Sequence, residues 1–457
     1  MVTQHFSQKT RIECPAAMAF EWHCRPGAFV RLQPPWEKVE LPEGHPGVSE
    51  NSQVKVRANV GPFVSQWLVE HRDVIPGIQF RDVMLQGPFA LWVHTHRFVP
   101  LGENACMLAD EIDFRLPLGW LGKFVAGWFV HNKLSRMFRY RHAITKSDLE
   151  KIASRGLIHP RCILVSGASG LIGSALESFL QTQGHTVLRL VRRKAENADE
   201  IFWRPETGEL DGASLGRIDA VVHLSGANVA GGRWTAIRRA AILDSRVQST
   251  RILVNALRKL EHRPSVFVCA SAVGYYGDRI GELSELEPAG HGFLAGVSDA
   301  WERESDQAQA LGIRVVKLRI GVVLAAAGGA LAKMLPVFRI GLGGRLGAGR
   351  QMMSWIALED LLSVIEASIF DQQIAGPINA VSPHAVSNAG FTKAMGEVLN
   401  RPTVIPVPKF LLRLIFGQMA DETLLANTHA VPAWLLGLKF RFRLSDIREA
   451  LRETLGR

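Results

Sequence analysis

A run of glycines in this chain has the spacing that phosphate binding requires. Residues 166–173 read Ser-Gly-Ala-Ser-Gly-Leu-Ile-Gly, between an apolar stretch at 161–165 and a helix-like pattern. Gly167 would let the chain turn sharply off a buried strand, Gly170 would let backbone N–H groups approach a pyrophosphate, and Gly173 would let the helix pack closely. The pattern predicts a dinucleotide-binding turn, with an ordinary tight β-α turn as the alternative.

The end of the next strand indicates which dinucleotide binds. Residues 185–191 read as a strand, and Arg192, Arg193 and Lys194 follow it. NAD binders usually place an Asp or Glu here on the ribose hydroxyls, whereas a guanidinium suits the 2′-phosphate of NADP. We therefore predict NADP as the cofactor. The alternative is that these arginines form a solvated basic strand end.

Composition describes a folded, globular chain. With 457 residues, 47% of them hydrophobic and 21% charged, two or three domains are expected. The net charge is +10, but the basic residues are dispersed and no nucleic-acid motif is present, so an anionic small molecule is a more suitable partner than nucleic acid. Oligomeric state cannot be read from these features.

Cysteine usage and hydropathy suggest a cellular compartment. The five cysteines are scattered without a C-x-x-C pair, which argues against a disulfide framework or a zinc site of that kind. The N-terminus is polar, and the most apolar run, residues 116–130, contains Lys123 and is shorter than the ~20 residues of a membrane span. We expect a cytoplasmic protein without a membrane segment.

The first third of the chain predicts a meander followed by one long helix. Strand-like runs at 52–59, 63–71, 79–85, 90–98 and 106–114 are separated by turn signals such as Gly-Pro and Pro-Gly. From Trp120 to about Ile152 apolar residues recur at helical spacing, among them Phe124, Trp128, Leu134 and Phe138. A curved antiparallel sheet around a helix with an aromatic face would enclose a pocket.

This region, residues 1–155, resembles the START-like helix-grip domains of the SRPBCC superfamily. The resemblance rests on a short strand at 6–13, the segment 15–23, the Pro34-Pro35-Trp36 turn, the meander and the last helix. It implies an α+β fold that binds an apolar ligand between helix and sheet.

Two histidines in the predicted meander have the spacing of a possible metal-binding pair. Trp92, His94, His96 and Phe98 alternate onto one strand face, so His94 and His96 form an H-x-H pair. No third ligand is evident from the sequence, and we therefore predict no metal. Pocket lining and plain packing or surface positions remain the alternatives.

From about residue 160 the chain alternates strands and helices. Apolar runs at 218–227, 266–272 and 313–321 each end in small residues, as strands of a parallel sheet do. We predict a doubly wound α/β (Rossmann) domain over 160–395, with its ligand at the carboxyl ends of the strands, and a C-terminal extension over 396–457 that completes it.

Residues 160–380 resemble an extended short-chain dehydrogenase/reductase, the class that includes nucleotide-sugar epimerases and dehydratases. The matching motifs are the glycine run, 219–227, Tyr276-Gly277-Asp278, 318–324, Ser354-Trp355-Ile356 and Gly376-Pro377-Ile378-Asn379. The chain is similar in particular to an atypical epimerase-like subgroup often labelled cell-division inhibitors, through Gly232-Arg233-Trp234, Asp244-Ser245-Arg246, residues 271–277 and the extension at 431–442.

The glycine run and this resemblance together imply a set of cofactor contacts. They comprise the phosphate loop, the arginines after the second strand, the small residues that end later strands, and two further arginines. These residues are Gly167, Ser169, Gly170, Leu171, Ile172, Gly173, Arg192, Arg193, Leu224, Ser225, Gly226, Arg246, Ser271 and Arg319.

The catalytic residues that the resemblance leads one to expect are missing. Active members use a Tyr that passes a proton, a Lys four residues later that lowers its pKa, and a Ser that holds the substrate oxygen. Aligned through the neighbouring motifs, these positions fall near Leu294, Ser298 and Ala272, and no Lys lies between 259 and 317. The remaining catalytic candidates are Ser271, Tyr275 and Tyr276, and the other polar residues expected near the nicotinamide are Asp278, Glu285 and Glu302.

Three functional hypotheses follow. The first is an NADP-dependent oxidoreductase or epimerase-like enzyme with an atypical active site, acting on a small carbonyl or hydroxyl compound. The second is a non-catalytic NADP-binding sensor whose N-terminal domain holds an apolar ligand. In the third, the N-terminal domain presents an apolar substrate to the nicotinamide.

Overall fold

The computed structural model describes residues 3–37, 39–41, 47–60, 63–117, 119–156 and 159–457. The chain divides into two compact units. The first comprises Met1–Pro160, Ser178–His185 and Gly456, and the second comprises Arg161–Glu177, Thr186–Leu455 and Arg457. Within the described ranges, no helix combines the length and the apolar character that crossing a bilayer demands.

The first unit is built on one antiparallel sheet of seven strands in the order β1-β7-β6-β5-β4-β3-β2. The strands are β1 (Gln4–Ile12), β2 (Val39–Glu40), β3 (Gln53–Val60), β4 (Phe63–Ile75), β5 (Gln79–Gln86), β6 (Leu91–Pro100) and β7 (Cys106–Arg115). The five strand-like runs of the predicted meander are confirmed as β3 to β7, with β4 running beyond its predicted end at residue 71.

The helices of this unit are α1 (Ala16–Cys24), α2 (Ala28–Arg31) and the 37-residue α3 (Gly119–Arg155). Phe138 of α3 packs with Phe6 and Ile112 of the sheet, so α3 covers one sheet face. The predicted aromatic face is wrong at Trp128, which is 79% exposed. The side chains of Trp120 and Phe124 lie outside the described residues.

The second unit contains an eight-stranded sheet in the order β11-β10-β9-β8-β12-β13-β15-β19, in which every pairing except that of β10 with β11 is parallel. Its strands are β8 (Cys162–Ser166), β9 (Thr186–Val191), β10 (Glu200–Arg204), β11 (Glu209–Leu210), β12 (Ala220–His223), β13 (Val266–Ala272), β15 (Arg314–Ile320) and β19 (Gly376–Ala380). Shorter strands outside it are β14 (Glu282–Leu283), β16 (Val322–Leu324), β17 (Met352–Met353), β18 (Trp355–Ala357), β20 (Val386–Ser387) and β21 (His429–Ala430).

The chain order of this sheet reverses at β8. From β8 the chain first builds outward through β9 and β10, then returns to place β12, β13, β15 and β19 on the opposite side. The helices are α4 (Leu171–Thr182), α5 (Ala236–Arg258), α6 (Phe293–Asp306), α7 (Gly329–Arg339), α8 (Leu358–Phe370), α9 (Asn388–Leu399), α10 (Lys409–Phe416), α11 (Ala433–Gly437) and α12 (Ile447–Leu455). The crevice between β8 and β12 is the switch point where ligands of such sheets bind.

Candidate functional site

The glycine loop after β8 has no room for side chains at two positions. Gly167 has a φ of +74°, and a Cβ there would lie 3.0 to 3.1 Å from backbone atoms of Leu224 and Ser225. A Cβ on Gly173 would lie 2.2 Å from the carbonyl oxygen of Gly167 and 2.7 Å from the Cα of Ala168. Gly173 therefore allows close packing as predicted, but it brings α4 against the loop itself.

The start of α4 faces outward from this loop. Ser169 and Gly170 are exposed, and Leu171 and Ile172 are half-buried. Since the first backbone N–H groups of a helix have no partner within the helix, they form a positive site suited to a phosphate. The predicted loop residues thus lie together at one helix N-terminus.

A buried histidine ties the loop to the neighbouring strand, and sequence reasoning gave it no role. The Nδ1 of His223 lies 2.6 Å from the Oγ of Ser166, and its Nε2 lies 3.0 Å from the Oγ1 of Thr250. Burial, with a smaller contribution from the charge of Arg246, lowers the pKa of His223 to about 3. The neutral ring therefore joins the ends of β8 and β12 to α5 without adding a charge.

Arg246 of α5 is a half-buried cation beside the loop that follows β12. Its Nη1 donates to the carbonyl oxygens of Ala227 and Ile242 at 3.2 and 2.9 Å, and a Cβ on Gly226 would lie 3.1 Å from its Cζ. Within the described ranges no carboxylate lies within 4 Å of it. Burial, with the nearby charge of Arg238, lowers the pKa of Arg246 to about 10. A cation without a counterion in this position can receive an anion.

The two arginines after β9 differ in availability. Arg193 forms a bidentate ion pair with Glu200, with N–O distances of 2.6 and 2.8 Å. The Arg192 side chain is 75% exposed, and its contact with Glu206 is 3.9 Å long. The predicted pairing of both guanidiniums with a 2′-phosphate is corrected by this geometry, which leaves Arg192 as the available group.

Arg319 and Tyr276 form a buried network, in contrast to their predicted roles. Arg319 holds both carboxylate oxygens of Glu302 at 2.9 Å and donates to the Tyr276 hydroxyl at 2.9 Å. That hydroxyl lies 2.7 Å from the Oδ1 of Asn379 and 3.0 Å from the carbonyl oxygen of Ser284. Tyr276 is fully buried, and burial raises its pKa to about 12 despite Arg319. These internal contacts argue against the predicted catalytic role of Tyr276 and the predicted cofactor contact of Arg319.

Ser271 and Tyr275 have different surroundings from one another. Ser271 is 4% exposed and donates to Glu302 at 2.7 Å, so its hydroxyl belongs to the buried network, contrary to its predicted catalytic and cofactor roles. Tyr275 is half-buried, and its ring lies 3.6 Å from the Arg319 guanidinium carbon. Its hydroxyl makes no hydrogen bond to another described residue. Tyr275 is the predicted catalytic residue that the geometry leaves available.

The positions of the missing Tyr and Lys lie at the start of α6. Leu294 and Ser298 are one helical turn apart, and a Cβ on Gly274 would lie 3.3 Å from the Leu294 Cβ. The backbone N–H of Leu294 donates to the Oε2 of Glu422 at 2.8 Å. Glu422 is 128 positions away in the chain, and no sequence signal pointed to it. It places a half-buried carboxylate next to Leu294, the position at which the resemblance to short-chain dehydrogenases implies a tyrosine.

Comparisons with known proteins identify the second unit. A family model described as the NAD dependent epimerase/dehydratase family matches residues 163–369, and a domain of unknown function, DUF1731, matches residues 407–454. An epimerase family protein of Mycobacterium bovis is 44% identical over 292 residues, which are 63% of this chain and 96% of that protein.

Solved structures show the same relationship. The nucleoside-diphosphate sugar epimerase from Corynebacterium glutamicum is similar with a TM-score of 0.80 and 31% identity over 99% of this chain and 90% of that one. The human epimerase family protein SDR39U1 (isoform 2), solved with NADPH, has a TM-score of 0.60 and 30% identity over 64% of this chain and 99% of its own. The chain thus belongs to the NAD dependent epimerase/dehydratase family.

Proposed function

We propose that the second unit binds NADP(H) and acts as an oxidoreductase or epimerase-like enzyme whose active site lacks the Tyr-x-x-x-Lys pair. The observation that carries this proposal is the combination of a glycine loop that has no room for side chains at Gly167 and Gly173 with Arg246, a half-buried cation that has no carboxylate partner among the described residues. A guanidinium that is partly removed from water is stabilised by an anion beside it. A pyrophosphate supplies the missing negative charge.

The two ends of the cofactor have separate partners in this proposal. The start of α4 and Arg246 hold the pyrophosphate, while the exposed Arg192 at the end of β9 binds the 2′-phosphate. Arg193 acts indirectly, because its ion pair with Glu200 fixes the strand end beside Arg192. The NADPH bound to the human relative is consistent with this choice.

NADP(H), when bound, provides hydride transfer to or from a carbon atom of the substrate. The chain itself must then hold or move a proton at the substrate oxygen. The hydroxyl of Tyr275 is the group we propose for this, because Leu294 and Ser298 have no acid or base and Tyr276 is buried. Glu422 acts as a positioning residue that fixes the start of α6 through the N–H of Leu294.

The side chains around the start of α6 favour a small substrate. Trp234 and Phe293 are in edge contact, with ring centroids 5.0 Å apart, and the Arg239 guanidinium lies 5.1 Å from the Phe293 ring centre. Aromatic faces beside a cation suit a compound that has an apolar part and a carbonyl or hydroxyl group.

Titration calorimetry with NADPH and NADH tests the cofactor choice. Substituting Arg192→Gln removes one charge-assisted contact, so we expect about 10- to 100-fold weaker binding of NADPH and unchanged binding of NADH. Arg204→Gln is the matched control, because Arg204 is also an exposed arginine at a strand end, next to Glu209. Equal affinity of the wild-type protein for both nucleotides would contradict the NADP assignment.

A non-catalytic NADP-binding sensor is the second candidate, and the side chains of Leu294 and Ser298 favour it. The N-terminal unit, with a helix on one face of an antiparallel sheet, would bind its own ligand in the manner of a helix-grip domain. Turnover assays across a panel of small carbonyl compounds separate the two candidates. Activity that is lost in Tyr275→Phe supports the enzyme, whereas NADPH binding that responds to a first-unit ligand, without turnover, supports the sensor.

A further inference from the structure

The sheet register of the first unit brings buried histidines and carboxylates together. Asp82 of β5 is directly opposite His94 of β6, and Asp110 of β7 is directly opposite His96. His71 of β4 lies opposite Asp82. Because directly paired residues of neighbouring strands project to the same face, these side chains converge on one face of the sheet.

Asp82, His94 and His96 hold potential metal-ligand atoms close to one another. The Oδ2 of Asp82 lies 3.8 Å from the Nδ1 of His94 and 3.3 Å from the Nε2 of His96. A set of one atom from each of the three residues lies entirely within 4.8 Å. Ligand atoms around a tetrahedral ion with bonds of about 2.1 Å lie about 3.4 Å apart, so small shifts would suffice for coordination.

The second ring nitrogen of each histidine and the second carboxylate oxygen of Asp82 also have hydrogen-bond or ion-pair partners. Asp110 Oδ1 lies 2.8 Å from the Nε2 of His94 and 2.7 Å from the Nδ1 of His96, although the latter contact lacks hydrogen-bond alignment. His71 Nδ1 lies 2.7 Å from the Oδ1 of Asp82. In metal sites, a ligating histidine typically donates its other N–H to a carboxylate, which fixes its orientation. Asp110 occupies that position for His94, and it lies within ion-pair distance of His96.

A second layer extends this support into the helix. The Nε2 of His142 in α3 lies 2.7 Å from the Oδ2 of Asp110, and the Nδ1 of His142 lies 2.8 Å from the Oγ1 of Thr10. The side chains of His94 and His96 are 5% and 10% exposed, while that of Asp82 is 24% exposed. The two histidines are thus held in a protected setting, and Asp82 provides the side from which an ion can enter.

We propose that Asp82, His94 and His96 bind a divalent transition-metal ion in the first unit. Two imidazole nitrogens and one carboxylate oxygen form a donor set that suits zinc and iron(II), with at least one coordination position left for water or a ligand. The sequence indicated no third ligand because Asp82 lies on a different strand from the H-x-H pair.

Metal analysis of the full-length chain tests the proposal. The protein is purified without a polyhistidine tag, treated with chelator, and titrated with Zn²⁺ in a calorimeter. We expect one equivalent to bind and Co²⁺ to give the visible absorption of a site with nitrogen and oxygen ligands. Asp110→Asn should weaken Zn²⁺ binding about 10- to 100-fold, and His94→Gln should weaken it further.

His23→Gln is the matched control. His23 is also a buried histidine of this unit, with a ring centroid 6.0 Å from that of His96, but its Nδ1 lies 2.7 Å from the carbonyl oxygen of Ala19. Its substitution should leave Zn²⁺ affinity unchanged. Folding of each variant is checked by circular dichroism and thermal unfolding.

Anomalous diffraction at the zinc edge from crystals of the wild-type protein decides the matter even where a variant fails to fold. A peak between Asp82, His94 and His96 supports the proposal. A wild-type protein that binds no stoichiometric Zn²⁺ or Co²⁺, a peak at another position, or a folded His94→Gln protein with unchanged affinity would overturn it.

Discussion

The two units each bury a cluster of charged side chains, and the clusters differ in how their charges are balanced. In the second unit, Arg319 and Glu302 face each other in a bidentate pair, and Tyr276 and Ser271 use the remaining donors and acceptors. In the first unit, Asp82 and Asp110 lie among four histidines, and donor atoms of two histidines face the same carboxylate oxygen.

This difference separates a structural cluster from one that can accept a ligand. Each nitrogen of the Arg319 guanidinium has a partner within the protein, so the network joins the ends of β13 and β15. In the first unit, the charges of the two carboxylates, although opposed by burial, raise the pKa of His96 to about 9. A metal ion between Asp82, His94 and His96 would supply positive charge next to these carboxylates.

The largest expected effect comes from breaking the balanced cluster. Arg319→Leu leaves Glu302 as an uncompensated buried carboxylate, and we expect the free energy of unfolding to fall by about 3–5 kcal/mol. The measurement is urea unfolding of the full-length protein. Arg251→Leu is the control, because Arg251 makes a similar bidentate contact with Glu304 but is 57% exposed, and it should cost less than about 1 kcal/mol. Equal costs would mean that burial does not decide the strength of these pairs.

A pair of tyrosine variants gives the next largest effect. Tyr276→Phe removes a buried hydroxyl and leaves Asn379 and Arg319 each short of a partner, so it should cost about 1–3 kcal/mol of stability. Tyr275→Phe should change stability by less than about 0.5 kcal/mol, because its hydroxyl has no hydrogen-bond partner among the described residues. Thermal and urea unfolding measure both. A stability loss in Tyr275→Phe as large as in Tyr276→Phe would show that both tyrosines are structural.

The smallest effect is expected at the outer edge of the first-unit cluster. Thr10→Val keeps the shape of the side chain but removes the oxygen next to His142, so stability should fall by about 0.5–1.5 kcal/mol. Zn²⁺ affinity, measured by calorimetry, should fall less than in Asp110→Asn, since Thr10 is two hydrogen bonds further from the ligand atoms. If Thr10→Val weakened Zn²⁺ binding as much as Asp110→Asn, the effect on affinity would not decrease with distance from the ligand atoms.

Much of the fold could be predicted from local patterns. The glycine run located the β8-α4 turn, since only glycine fits at Gly167 and Gly173. Strand-like runs bounded by turn signals or small residues located many strands of both sheets. The absence of a Tyr-x-x-x-Lys pair was also readable, because it depends only on which residues stand at Leu294 and Ser298. Such features are determined within a few neighbouring residues.

The roles of particular polar residues depended on the tertiary structure. The sequence suggested Arg193, Tyr276 and Arg319 as functional, yet Glu200 and Glu302, which engage the two arginines, come from other segments of the chain. Whether an arginine or tyrosine is available is set by its distance to such partners, and one sequence does not give those distances.

The sequence by itself determined that this chain has an antiparallel sheet domain and a nucleotide-binding α/β domain, because backbone conformation and burial follow from local periodicity. Only the tertiary structure brought Asp82 opposite His94 and placed Glu422 beside Leu294. It also left the Arg192 side chain exposed while Arg193 is held in an ion pair. Strand register and long-range contacts decide these relations, and they arise from the packing of the whole chain rather than from any single segment.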